Sequence, residues 1–147
     1  TVMSRVISWL SPNWSFDTGA GTYPSVFGAH NGTITPSHDV FADKMYTYPC
    51  SGTGGHSEYV RIWGNGIDAN ASWNGYTGDW HNISFSESFT LVKGETYNYT
   101  IRTGSYPQII HKSEHTTLDG STINCTKFIG ANGKEYDDWI PAIKLFL

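Results

Sequence analysis

The chain has 147 residues, with 9 Lys and Arg, 13 Asp and Glu, and a formal net charge of −4. This length is close to the commonest size of one domain, and the modest negative charge excludes a basic surface for nucleic acid or anionic lipid. Apolar runs such as the terminal WIPAIKLFL are shorter than the roughly 18 residues of a membrane span. We therefore expect one soluble domain over residues 1–147 that neither binds nucleic acid nor inserts directly into a membrane.

Short β-type runs separated by turn residues follow one another along the chain. Residues 1–20 are a less regular leading segment, with a short helix or an edge strand before loop residues at 11–13. Predicted strands then lie near 43–49, 57–63, 68–74, 81–90, 95–102, 107–111, 121–128 and 139–146. Predicted turns lie at 52–55, 64–66, 76–79, 93–94 and 132–133, where Gly or Asn supplies positive φ. Because no segment sustains a helical period, the pattern predicts an all-β chain, a single jelly-roll-like β-sandwich of antiparallel sheets.

The first motif with chemical content is Phe16-Asp17-Thr18-Gly19-Ala20, which resembles the Asp-Thr-Gly-Ala signature of aspartic proteases. Catalysis of that kind needs two carboxylates that share a proton, and therefore two copies of the motif or a symmetric dimer. The chain contains one copy. We therefore favour a turn in which Asp17 caps its own loop, and predict no catalytic residue.

Histidine, cysteine and acidic residues offer weaker candidates for metal binding. A zinc set is conceivable at Cys50, His56 and Cys125 with His111 or His115, but it matches no usual zinc spacing. Sequence assigns no metal ligand or cofactor, and it leaves open one structural calcium ion. The acidic residues that could hold calcium are Asp17, Asp39, Asp119 and the pair Asp137 and Asp138.

Two acids could also serve a glycosidase, for example Asp79 with Asp137 or Asp138. Glycoside hydrolysis depends on the separation between two carboxyl groups, which the sequence does not specify. A hydrolase is accordingly the third of our functional hypotheses.

Cys50 and Cys125 are the only two cysteines. In an oxidising exterior they would pair and close a long loop, which the chain-entropy model values at about 4 kcal/mol. Two buried, unreactive thiols are the competing interpretation, because spacing alone does not reveal pairing. We predict the disulfide.

The glycosylation acceptor pattern Asn-x-Ser/Thr is unusually frequent, occurring at six of the nine asparagines. The six are Asn13, Asn31, Asn70, Asn82, Asn98 and Asn124. Period-two alternation places the last four of these opposite the apolar phase of their predicted strands, as with Asn98 between Tyr97 and Tyr99. This placement suits an extracellular glycoprotein, although any polar residue of an amphipathic strand would lie in the same phase.

Aromatic residues make up 15% of the chain. Trp73, Tyr76 and Trp80 bracket two turn dipeptides and could form a flat platform for sugar rings, with Asp79 and His81 as partners for hydroxyl groups. The competing interpretation is that these rings belong to the sandwich core, where Trp and Tyr are common.

Several longer blocks resemble a domain that recurs in predicted cell-surface proteins of methanogenic archaea. The blocks are GTYPSVFGAHNGTITPSHD, KMYTYPCSGTGGHSEYV, SWNGYTGDWHNISF, YNYTIRTGSYPQIIH and TKFIGANGKEYDDWIPAIKL, and they cover about residues 21–147. The resemblance implies an extracellular all-β accessory domain without established catalytic residues or ligand. Cys50 and Cys125 both fall within the matching blocks, which fits a paired role, whereas Asp17 lies outside them.

From these observations we expect a non-catalytic structural or adhesion module of a cell-surface protein. The alternative is a carbohydrate-binding module that uses the aromatic platform. The expected partners are polysaccharide, other cell-surface proteins and neighbouring domains of the same parent chain. Because the chain begins Thr-Val-Met without the features of a signal peptide, we expect either a segment excised from a larger surface protein or a mature product whose targeting sequence was removed.

Overall fold

The computed structural model describes residues 14–22, 26–51, 55–73 and 81–147, and within these ranges all regular secondary structure is β. The strands are β1 Phe16–Asp17, β2 Gly28–Thr35, β3 Val40–Thr47, β4 His56–Gly64, β5 Ile67–Ser72, β6 Asn82–Leu91, β7 Tyr97–Gly104, β8 Ile109–Ile110, β9 Glu114–Thr116, β10 Thr122–Asn124, β11 Lys127–Gly130, β12 Glu135–Tyr136, β13 Ile140–Pro141 and β14 Ile143–Phe146. These residues contain no helix of the length and apolarity that crossing a membrane requires.

Two antiparallel sheets pack face to face as a β-sandwich. The smaller sheet has the order β1-β14-β3-β6, and the core of the larger sheet has the order β2-β7-β4-β5. The eight strands of a jelly roll correspond here to β1 to β7 together with β14. With β14 numbered as the eighth strand, the two sheets have the strand orders 1-8-3-6 and 2-7-4-5, which is the connectivity of a jelly roll. The predicted fold class is therefore confirmed, including its topology.

The remaining six strands lie between β7 and β14 in the chain. β11 pairs with β2, and β12 pairs with β11; together with β9 and β10 they extend the larger sheet from four strands to eight. β10 also pairs with β2, and β9 pairs with β10. β8 and β13 form a separate two-stranded sheet. The insertion thus covers the edge of the larger sheet that β2 would otherwise expose.

The core follows directly from period-two alternation. In β7, Tyr97, Tyr99 and Ile101 are fully buried, and Asn98 between the two tyrosines is exposed. Both tyrosine hydroxyls have partners, since Tyr99 donates to the Asn124 carbonyl at 2.6 Å and Tyr97 accepts the Val92 N–H at 2.9 Å. Burial of rings of this size stabilises the sandwich only because the hydroxyl group at the end of each ring forms a hydrogen bond.

Most predicted strands correspond to observed ones, but β2 was missed. Its sequence GAHNGTIT contains two glycines, a histidine and an asparagine, none of which favours a strand. Tertiary packing overrides this preference, because β2 is paired on both sides, with β7 and with β10 and β11. His30 is fully buried there, which is unusual for a polar side chain.

Two predicted strands were too long. The predicted run 121–128 divides into β10 and β11 around Cys125 and Thr126, and 139–146 divides into β13 and β14. In both places the chain changes its pairing partner, which hydrophobic alternation does not reveal. β1, β9 and β12 are too short to produce a period-two signal, and most of the leading segment 1–20 and the turn at 76–79 lie outside the described residues.

Candidate binding surface

The outer side of the smaller sheet presents aromatic and polar side chains in register. Tyr46 of β3 pairs with Lys144 of β14 on one side and with Asn82 of β6 on the other. Lys144 in turn pairs with Asp17 of β1. All four are partly exposed, whereas their neighbours along each strand point into the core. Cross-strand register therefore aligns a carboxylate, an ammonium group, a phenol and an amide across four strands.

A second row runs parallel to the first. Phe146 pairs with Lys44, and Lys44 pairs with Ser84. The Phe146 ring lies beneath two ammonium groups, with its centroid 5.8 Å from Lys44 Nζ and 5.4 Å from Lys144 Nζ. These are cation–π contacts, which hold the alkyl stems of both lysines against the ring.

Aromatic pairs occupy both ends of this surface. At one end Trp14, 41% exposed, meets Phe41 edge to face at 4.8 Å. At the other end the Tyr46 ring lies 5.1 Å from Tyr48 and 6.1 Å from His81. We call this set the aromatic sheet face. It comprises Trp14, Asp17, Phe41, Lys44, Tyr46, Tyr48, His81, Asn82, Lys144 and Phe146.

The chemistry of the aromatic sheet face suits a ligand with both apolar and hydroxyl-rich surfaces. From Phe41 to Tyr48 it extends about 20 Å at roughly 3.3 Å per residue. Partly exposed rings offer flat apolar contacts, and Asp17, Lys144 and Asn82 supply acceptors and donors beside them. Because the rings are carried on paired strands, they need little ordering on binding.

The aromatic rings on the outer side of the larger sheet lie beneath arginines, as Phe146 of the smaller sheet lies beneath Lys44 and Lys144. The Arg61 guanidinium lies 4.3 Å from the Trp63 ring and forms a two-pronged ion pair with Asp68, at 2.9 and 3.0 Å. This hydrogen-bonded pair raises the pKa of Arg61 and lowers that of Asp68. Arg102 likewise lies over Tyr59, at 5.6 Å from the ring centroid. A ligand would have to displace these contacts.

Of the predicted sugar platform, the structure describes two residues. Trp73 is half-buried, packs against the core and lies 4.3 Å from the His56 ring, so it is largely a core residue. His81 contacts Tyr46 and thereby belongs to the aromatic sheet face; its Nδ1 hydrogen-bonds the Gly55 carbonyl at 2.6 Å. Tyr76, Asp79 and Trp80 lie outside the described residues.

Asp17 caps its own loop, as predicted. Its Oδ1 accepts the Gly19 N–H at 2.9 Å and the Tyr48 hydroxyl at 2.6 Å. Burial, followed by this hydrogen bond to Asp17, raises the pKa of Tyr48 far above its ordinary value. The Asp-Thr-Gly sequence is therefore used here as a turn that attaches β1 to the end of β3.

A second carboxylate, Asp119, organises the loop beside Asp17. Its side chain is 2% exposed and accepts hydrogen bonds from the Asp17 N–H, the Thr117 hydroxyl and the Ser121 hydroxyl, at 2.9, 2.7 and 2.6 Å. His38 Nδ1 lies 3.7 Å away. With both oxygens occupied by structural donors, Asp119 connects β1 to the loop before β10.

The predicted disulfide is not formed. Cys50 and Cys125 are both thiols, each 5% exposed, and burial raises the pKa of both. Their backbones are held by different segments, because the Cys50 N–H donates to the Tyr106 carbonyl and the Cys125 N–H to the Ser113 carbonyl. The prediction failed since long-range pairing depends on geometry that residue spacing does not contain.

The candidate metal ligands are likewise dispersed. His115 Nε2 hydrogen-bonds the Thr18 carbonyl at 2.9 Å, and the His111 ring meets Trp139 edge to face at 4.7 Å. Among the described residues, no three His, Cys, Asp or Glu side chains gather in a way that could hold a metal ion. Asp137 and Asp138 are exposed and border a shallow depression of about 480 Å³ with Tyr136.

The glycosylation candidates divide into two groups by exposure. Asn70 and Asn98 are exposed, whereas Asn31, Asn82 and Asn124 are half-buried. Asn13 lies outside the described residues. The predicted polar phase of the strand-borne acceptors is confirmed, because the adjacent residues Ala71, Ile83, Tyr99 and Ile123 are buried.

Sequence reasoning missed most of the aromatic sheet face. A signal was present in IKLF, where alternation assigns Phe146 to the side opposite the core. In VFADKMYT the pairing register shifts between Ala42 and Lys44, so strict alternation wrongly places Phe41 on the same side as the buried Met45. The sequence does not show that β14 pairs with β3, and this pairing brings the outward-facing residues of the two strands together.

Fold and surface together define a jelly-roll β-sandwich module whose smaller sheet presents, among the described residues, a partly exposed aromatic face. No protein-family model matches the chain, and a search of curated proteins finds no significant relative.

Proposed function

We propose that this chain is a non-catalytic extracellular module of a cell-surface protein, and that it adheres through the aromatic sheet face. The observation that carries the proposal is the cross-strand register that holds Tyr46, Lys144 and Phe146 on one partly exposed face. The resemblance to domains of archaeal cell-surface proteins supports the extracellular location. Neighbouring domains of the parent protein would then position this face toward its partner.

The environment of the acidic residues supports a non-catalytic role. Asp17 accepts one hydrogen bond from Gly19 within its own turn and one from the Tyr48 hydroxyl beyond β3, and the nearly buried Asp119 accepts three. A catalytic acid or base needs a proton that it can exchange with a substrate, whereas these carboxylates are engaged in stabilising loops. The hydrolase hypothesis therefore has less support than binding.

The ligand class that this surface favours is carbohydrate. A pyranose ring combines an apolar C–H face with hydroxyl groups around its rim, and the aromatic sheet face combines rings with polar groups at their edges. The ring pairs at the two ends lie along β3, which suits an extended oligosaccharide better than a single sugar. Lys44 is paired with Asp43 at 3.0 Å, and Lys144 lies beside Asp17, so the surface does not select strongly for anionic sugars.

Removal of one ring should weaken glycan binding. For Tyr46→Ala and Phe146→Ala we expect affinity for any glycan identified on an array to fall about five- to tenfold, since a stacking contact contributes about 1 kcal/mol. Calorimetry or biolayer interferometry with the identified oligosaccharide would measure this change.

Tyr59→Ala is the matched control, because Tyr59 is an aromatic residue on the outer side of the other sheet. It should bind like the unmodified chain. Equal loss in Tyr59→Ala, or unchanged affinity in both face variants, would reject the aromatic sheet face as the site. An array without any binder would remove carbohydrate and leave a protein partner as the ligand of the module.

A further inference from the structure

The outer side of the larger sheet carries two exposed acceptor asparagines. Asn98 of β7 lies opposite Trp63 of β4 and Thr33 of β2, and Asn70 of the edge strand β5 lies opposite Arg61. In the part of the chain that the structure describes, neither side-chain amide takes part in a hydrogen bond. Both amides therefore project from a sheet surface into solvent, where an attached glycan would displace no packing.

Asn31 and Asn124, whose strands β2 and β10 belong to the same sheet, have amides that are used by the fold. Asn31 Oδ1 accepts the Thr100 hydroxyl at 2.7 Å and its Nδ2 donates to the Lys127 carbonyl at 3.3 Å. Asn124 Oδ1 accepts the Thr33 N–H at 2.7 Å. Both side chains are half-buried between strands, so a glycan at either position would separate groups that the sheet holds together.

We infer that Asn70 and Asn98 are the N-glycosylated residues of the larger sheet, and that Asn31 and Asn124 are not modified. The donor class is a glycan activated as a lipid-linked phosphate or pyrophosphate. A bond forms between the asparagine Nδ2 and the anomeric carbon, and the bond between that carbon and the donor phosphate oxygen breaks. The phosphate leaves with the electron pair, and one amide proton passes to a base of the transferase.

This modification would give the two sides of the sandwich different roles. Glycans at Asn70 and Asn98 would stand on the side whose rings are covered by Arg61 and Arg102. The aromatic sheet face belongs to the other sheet of the sandwich, so these glycans would not cover it. The inference rests on the extracellular location in the proposed function but not on its ligand, because it concerns the other sheet and is measured without a ligand.

Glycopeptide mass spectrometry of the full chain tests the assignment. The chain would be secreted from a host that glycosylates Asn-x-Ser/Thr, together with a reference glycoprotein whose occupancy is known. We expect glycan on the peptides containing Asn70 and Asn98 and unmodified peptides for Asn31 and Asn124. In the double variant Asn70→Gln/Asn98→Gln, the intact mass should fall by two glycans while the melting temperature changes little.

The reference glycoprotein makes a negative result decisive. If it is modified in the same culture while Asn70 or Asn98 is bare, the assignment is wrong at that position. Occupancy of Asn31 or Asn124 equal to that of Asn98 would show that exposure in the folded sheet does not select the site. Thr100→Ser keeps the Asn98 acceptor pattern and should retain the glycan, and Thr100→Val should lose it.

Discussion

His30 is a buried residue whose environment strongly changes its ordinary acid–base chemistry. Its ring is fully buried, lies 4.3 Å from the Phe128 ring, and donates from Nδ1 to the Trp139 carbonyl at 3.0 Å. Nε2 is thereby left as an acceptor, 3.2 Å from Thr103 Oγ1. Desolvation by burial lowers the pKa of His30 to about 3, against a smaller opposing effect of the bond to Trp139.

The depressed pKa of His30 predicts acid sensitivity. The unfolded chain binds a proton at this histidine below pH 6.5, and the folded chain does so only near pH 3. His30 therefore destabilises the fold progressively as pH falls from about 6.5 toward 3, by about 1.4 kcal/mol per pH unit, and has no effect above that window. Urea unfolding at several pH values would measure the slope.

Carboxylates titrate in the same window, so the informative quantity is a difference between variants. His30→Asn should lose the part of the slope that one proton contributes, and His111→Asn, at an exposed histidine, is the control variant measured beside it. Should His30→Asn not fold, the ring signals of His30 in NMR spectra of the unmodified chain provide the test. Protonation of that ring in the folded state near pH 6 would contradict the prediction.

At the scale of elements, β2 shows how tertiary packing selects a strand with a weak local preference. An ideal Cβ built on Gly32 would lie 2.0 Å from the Asn124 carbonyl oxygen and 2.8 Å from the Tyr99 ring. Only a residue without a side chain allows Asn124, which follows Ile123 in β10, to approach β2 and receive the Tyr99 hydroxyl. The glycine that weakens the strand locally is the one that the sheet requires.

Gly32→Ala should accordingly destabilise the sandwich strongly. The added methyl group collides with main chain, which cannot move aside, so we expect a loss of about 3 kcal/mol in the free energy of unfolding. Chemical denaturation followed by tryptophan fluorescence would report it. Thr33→Ala, at the partly exposed neighbouring position, should lose less than about 1 kcal/mol; equal midpoints for the two variants would refute the argument.

The predicted and missed elements differ in a physical way. Strands β4, β5, β6 and β7 were found from sequence because each is long enough to show period-two alternation. β1 and β12 have two residues each and are defined only by their pairing partners, such as β14 beside β1. For the candidate site, alternation indicates that Phe146 and Tyr46 leave the core, but it contains nothing about their proximity.

At the scale of the whole molecule, the two cysteines belong to a fold that does not use a disulfide. We expect both thiols to resist alkylation in the native protein, because they are buried and burial raises their pKa. After denaturation without reductant, the mass should increase by two alkyl groups. A denatured chain that takes up no alkylating agent until reductant is added would instead demonstrate the bond.

Single variants extend this measurement. In Cys50→Ser and in Cys125→Ser the remaining thiol should alkylate only on unfolding, with the same dependence on denaturant as in the unmodified chain. Reductant should not change the melting temperature of any of the three proteins. A shift confined to the unmodified chain would mean that the two residues are coupled.

Sequence alone determined the fold class and, for strands with regular alternation such as β6 and β7, the side that enters the core. Both follow from local alternation, since the side-chain period of a strand is two residues whatever lies beside it. Tertiary structure alone decided which strands are neighbours: the insertion between β7 and β14 on the edge of β2, the buried His30, the separate thiols, and the pairing of β3 with β14 that assembles the aromatic sheet face. In that pairing Tyr46 meets Lys144 across nearly a hundred residues of chain, and no local pattern encodes a partner so distant.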